Sequence, residues 1–202
     1  MLNEVKKSLN DISKKLVKIQ DAREFLLKNS REVIVLCSKA IILAHSGKND
    51  EAKKILKNAE NLLKKYRTKL SPEISRYLIT AEQEFVEASC FISIIEKKPI
   101  PSEKKMNVMS ESYVLGLMDC IGELKRTVFD KIRVGQVDEA IRIFEIMEEL
   151  YMNLYPFSLY DKVVKEARKK MDVARILVED VRVSITEEKR RSELLRTIEK
   201  LK

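Results

Sequence analysis

The 202 residues, 45% apolar and 36% charged, suffice for one sizeable core and exclude an intrinsically disordered chain. Four glycines, four prolines and no tryptophan leave a composition dominated by helix formers, so the expectation is an all-α fold, a single helical domain over residues 1–202. The net charge of +8 lies in the first third: residues 1–70 hold 17 Lys and Arg against 8 Asp and Glu, and residues 71–202 hold 23 against 24, which points to a polyanion partner or else to a solvated, lysine-rich surface.

The chain opens MLNEVKKSLNDISKK, with no apolar run behind its charges, so neither a secretory signal nor a membrane anchor is expected and the protein reads as cytoplasmic. Leu9, Ile12, Leu16, Ile19, Phe25 and Leu26 recur at helical spacing and predict an amphipathic first helix running on to His45. Its longest apolar stretch, Val33 to Ala44, is broken by Ser38 and Lys39 and falls short of the roughly 20 residues a bilayer needs. Gly47 supplies a stop, and Asn49 or Asp50 can cap a second helix reaching about Leu70. Ser71-Pro72-Glu73 reads as the start of a third helix ending near Glu96. KKPIPSEKK, residues 97–105, is the clearest loop. A fourth helix is expected from about Met109 to Val134, stopped by Gly135, and a fifth from about Val137 to Leu154, before Pro156. Residues 159–202 read as one or two further helices with a strongly charged tail.

The third and fourth helices carry the chemical anomaly. In FVEASCFISII, Phe85 to Ile95, the only charge is Glu87, and Glu84 lies three residues earlier on the same face. In YVLGLMDCIGEL, Tyr113 to Leu124, the only charges are Asp119 and Glu123, four apart and again on one face. Helices apolar nearly all round are buried helices, and an unpaired buried carboxylate costs several kcal/mol unless a cation or a proton compensates it. A hard divalent ion, Mg²⁺ or Mn²⁺, is the natural partner for four such oxygen donors. The alternative is internal pairing with Arg126, Lys125 or a distant lysine. A di-iron site is disfavoured, because the chain has one histidine and no Glu-x-x-His motif. That histidine, His45, reads as a helix-end residue favoured by the dipole rather than as a ligand or general base.

Cys37, Cys90 and Cys120 form no Cys-x-x-Cys pair and read as reduced core thiols. No Gly-rich phosphate loop or nucleophile motif occurs. Candidate nucleic-acid contacts are Arg31, Lys39 and the cluster Lys64, Lys65, Arg67 and Lys69 around Tyr66, whose ring could stack on a base; the alternative is a solvated helix end.

At these residues the chain resembles the translin family, and within it translin-associated factor X more than translin itself. AEQEFVEASCF carries the matching Gln83, Glu84, Phe85, Val86, Glu87 and Ala88. SYVLGLMDCIGELKR carries Tyr113, Leu115, Gly116, Asp119, Gly122, Glu123 and Leu124. NSREVIVLCSKAIILAH adds Ser30, Arg31, Ser38, Lys39, Ile42 and His45. The resemblance implies an antiparallel bundle of about seven helices that assembles into a hollow, roughly octameric barrel, as a homo-oligomer or with a translin-like partner, and binds RNA or single-stranded DNA. It also implies that Glu84, Glu87 and Asp119 ligate Mg²⁺ for endonucleolytic RNA cleavage, with Glu123 as a ligand or water-positioning group and Arg126 beside the nucleic acid. The rival expectations are a non-catalytic nucleic-acid-binding ring and a helical protein-protein adaptor.

Overall fold

The computed structural model describes residues 2–200. Seven α-helices are present among them and no strand: α1 Asn3–His45, α2 Asn49–Arg67, α3 Ile79–Ile95, the one-turn α4 Glu103–Met106, α5 Ser110–Arg133, α6 Val137–Leu154 and α7 Ala167–Lys200. Two 3-10 turns, Ser75–Tyr77 and Tyr155–Tyr160, complete the regular structure.

Two glycines place the reversals. Gly47 (φ 75°) and Gly135 (φ 74°) lie in the left-handed region, which glycine enters without a Cβ penalty. Beyond them, the Lys48 N–H donates to the Leu43 carbonyl and the Gln136 N–H to the Lys131 carbonyl, both at 2.9 Å, closing the ends of α1 and α5. Two expected starts differ from the sequence reading. Neither Asn49 nor Asp50 caps α2; Lys48 holds that position and no side chain bonds there. Ser71-Pro72-Glu73 enters a turn and a 3-10 segment, so α3 begins only at Ile79, because the Ile74 and Ser75 amides fold back onto the Ser71 carbonyl. The loop at 97–105 holds α4, whose Ser102 accepts from the Lys105 amide at 3.4 Å.

α1 is 43 residues, about 65 Å at 1.5 Å per residue, and outruns the 19-residue α2 it packs against. Its buried side chains therefore begin only at Leu26, and the apolar stripe of Leu9, Ile12 and Leu16 is exposed. α3 packs between α1 and α5, and α5 carries α6 and α7 on its other sides. That central placement explains why α3 and the first half of α5 are apolar nearly all round. One continuous core runs from Leu26 to Ile185, and the cysteines lie inside it as free thiols. No helix among the described residues is long and apolar enough to cross a membrane.

α3 and α5 meet at Gly116. A Cβ there would stand 2.4 Å from the Gln83 carbonyl oxygen and 2.6 Å from Val86 Cβ, distances that no real Cβ tolerates. Gly116→Ala should therefore push the two helices apart and lower the unfolding free energy by about 1–3 kcal/mol in urea titration, the usual cost of overpacking. Gly122, also inside α5 but with open space around its Cβ position, serves as the control: Gly122→Ala should raise stability by about 0.5–1 kcal/mol, the helix-propensity gain of alanine.

Candidate acidic site

The Gly116 contact sets the register of the charged residues. On α5, Asp119 and Glu123 follow Gly116 by three and seven residues and so share its face. On α3, Glu84 and Glu87 each follow one of the two residues that touch Gly116. The four carboxylates are brought within mutual electrostatic reach: Asp119 and Glu123 both raise the pKa of Glu84 and of Glu87. None lies on the open surface, and none is fully buried. Burial pushes Glu87 up to about 8, with Asp119 and Glu84 adding to the rise, and burial likewise raises Glu84.

Two further elements, α1 and α7, close the site. From the end of α1, His45 Nε2 lies 2.5 Å from Glu123 Oε2, with its ring 4.5 Å from the Phe91 ring. That hydrogen bond holds the Glu123 carboxyl below the usual glutamate range, against its partial burial. Cys37, one helical face along, has its thiol pushed up by burial and by Glu84 and Glu87. From α7, the Lys170 ammonium donates to Asp119 Oδ1, and the Gln83 amide donates to Oδ2 at 2.5 Å. Pairing with a distant lysine, the alternative open at the level of the sequence, is thus realised at Asp119.

The donor chemistry, four carboxylates, fits a hard divalent cation. Two of them are already engaged, Asp119 by Lys170 and Gln83 and Glu123 by His45, and among the described residues no group of three His, Cys, Asp or Glu converges to hold a metal ion. His45 and Lys170 lie 78 and 51 residues from the carboxylates they touch, so no local spacing could announce them.

The most buried carboxylate belongs to a different network. Glu82, 1% exposed, accepts from Arg67 Nε at 2.9 Å and from the Met109 amide at 2.8 Å. This pairing ties the end of α2 to the link between α4 and α5, and it commits Arg67, expected to face nucleic acid, to the interior. Tyr66 is also turned inward, 2% exposed and edge-on to Phe25 at 5.5 Å, so its ring is not offered for base stacking. Arg31, Lys39, Lys64, Lys65 and Arg126 are exposed, Lys64 sharing its charge with Glu60 at 2.6 Å.

The translin family model matches residues 3–182, and the chain belongs to the translin family. It is 37% identical over 174 residues to the uncharacterized protein MJ0175 of Methanocaldococcus jannaschii, covering 85% of this chain and 78% of that one. Among solved structures, the AfC3PO–duplex RNA complex matches with a TM-score of 0.81 and 36% identity over 90% of this chain and 96% of its own. A further crystal structure of AfC3PO gives a TM-score of 0.79 and 36% identity, covering 90% of this chain and 97% of its own. Apo-NeC3PO, at 22% identity over 88% and 95%, shares the fold with a TM-score of 0.76.

Glu87 carries a stability signature whose sign follows from its raised pKa. Between its ordinary value near 4.5 and about 8, the folded chain keeps a proton that the unfolded chain releases, so stability falls as pH rises through that window. Glu87→Gln removes the loss. In chelator-containing buffer the variant and the parent should melt alike near pH 4.5 and diverge toward pH 8, the variant gaining about 2–4 °C for each kcal/mol relieved.

Proposed function

We propose that this protein binds RNA and cuts it endonucleolytically with the help of Mg²⁺ or Mn²⁺, and that within its family it stands closer to translin-associated factor X than to translin. The observation that carries this reading is the cluster itself: four carboxylates on two packed helices, within electrostatic reach of one another in a half-buried site where one is driven toward neutrality. Such an arrangement opposes folding, and a site for a divalent cation is a physical reason for keeping it. A relative at 36% identity forms a complex with duplex RNA, which supports the choice of substrate.

In this reading Glu84, Glu87 and Asp119 hold the ion, and Glu123 is a further ligand or positions water. When bound, the ion polarises a phosphoryl oxygen and lowers the pKa of a bound water. His45 keeps Glu123 ionised and oriented, so that its carboxylate accepts a hydrogen bond from the attacking water. Arg31, Lys39, Lys64, Lys65 and Arg126 supply charge for the RNA backbone, with recognition by shape and charge rather than by base. Exposed Leu9, Ile12 and Leu16 on α1 and Leu194, Leu195 and Ile198 on α7 favour assembly into a barrel, either of identical subunits or with a translin-like partner.

A second reading, a nucleic-acid-binding ring without catalysis, is favoured by the ion pair at Asp119 and the lack of three converging donors among the described residues. Purified chain incubated with labelled single-stranded and duplex RNA, with Mg²⁺ or with chelator, separates the two. The catalytic reading expects Mg²⁺-dependent products that vanish in Glu87→Ala and Asp119→Ala, while gel-shift binding survives and weakens with salt. Salt-sensitive binding with no metal-dependent product leaves the ring, and the absence of any shift at low salt leaves an adaptor.

A further inference from the structure

Asp119 meets a cation supplied by the chain. Lys170 arrives from α7, a helix outside the α3–α5 pair, and donates to Oδ1, while Gln83 takes Oδ2. Its charge is felt beyond Asp119, pulling against the burial that raises Glu84 and Glu87. Lys170 and Asp119 are 23% and 22% exposed, so the pair sits at the mouth of the site rather than sealed beneath it. A lysine ammonium is a compact single charge on a flexible stem. A cleft of about 340 Å³ between α5 and α7, lined besides the pair by apolar Met118, Val173, Ala174 and Leu177 and by charged Glu166 and Lys169, gives that stem room to move.

We propose that Lys170 is a tethered counter-ion that competes with a divalent cation for Asp119, so that entry of the ion and release of the ammonium are one event. The inference rests on the cluster being a divalent-cation site. Its physical content is competition: a carboxylate held by an internal partner binds an external cation with an affinity reduced by the fraction of time it is free. The coupling is reciprocal, so the cation must free Lys170 as strongly as Lys170 holds off the cation. A fixed structural ion pair would show no such release.

Two measurements on the full-length chain test it. Mn²⁺ affinity, read calorimetrically, should be about tenfold tighter in Lys170→Met, which keeps the apolar stem and removes the charge. In the unaltered protein, the rate at which an amine-acylating reagent modifies Lys170, followed by peptide mass spectrometry, should rise several-fold on adding Mg²⁺ while exposed Lys39 and Lys65 keep their rates. Equal Mn²⁺ affinity in parent and variant overturns the proposal and leaves the cation site standing. So does an acylation rate at Lys170 that Mg²⁺ leaves unchanged while Mn²⁺ binding is measurable. Absence of Mn²⁺ binding in both proteins removes the cation site and the proposal together. The acylation arm needs no variant, so a misfolded Lys170→Met would not spare the idea.

Discussion

The backbone-close contact at Gly116 is the constraint on which the rest of the structure depends. With no Cβ on α5 at that position, the Gln83 carbonyl and the Val86 side chain of α3 come within a distance that any other residue would forbid. Helices packed this closely exclude water from the seam, and the residues one step, one turn and two turns away are drawn in with them. Those residues are Glu84, Glu87, Asp119 and Glu123. The same contact that stabilises the core by apolar burial thereby concentrates negative charge where it is poorly solvated.

How the chain tolerates that charge divides by position. Glu123 is stabilised as an anion by His45, Asp119 is paired with Lys170 and hydrogen-bonded by Gln83, and Glu87 is relieved by taking up a proton. Glu82, deeper than any of them, is satisfied by Arg67 and the Met109 amide and behaves as a structural clamp. The contrast separates two uses of a buried carboxylate. A clamp pairs its oxygens within the core and closes. The cluster retains groups whose ionisation is opposed by their surroundings, the condition under which an external cation gains most. The family relationship and the similarity to an RNA-bound relative give that condition a chemical context.

The sequence by itself determined the long helices and their order, because helical periodicity, the stops at Gly47 and Gly135 and the breaks at proline are local properties of the chain, whereas the one-turn α4 falls in a stretch that reads as a loop. It also singled out Glu84, Glu87, Asp119 and Glu123, since a charge inside an otherwise apolar helix is visible without knowing what covers it. Only the tertiary structure decided what each charge meets. His45 and Lys170 enter the site across 78 and 51 residues, Arg67 and Tyr66 turn inward from a stretch that reads as a basic surface, and α3 starts later than its Ser-Pro signal. Electrostatic partners act through space, and a pattern along the chain carries the spacing within a helix but not the packing between helices that sets those distances.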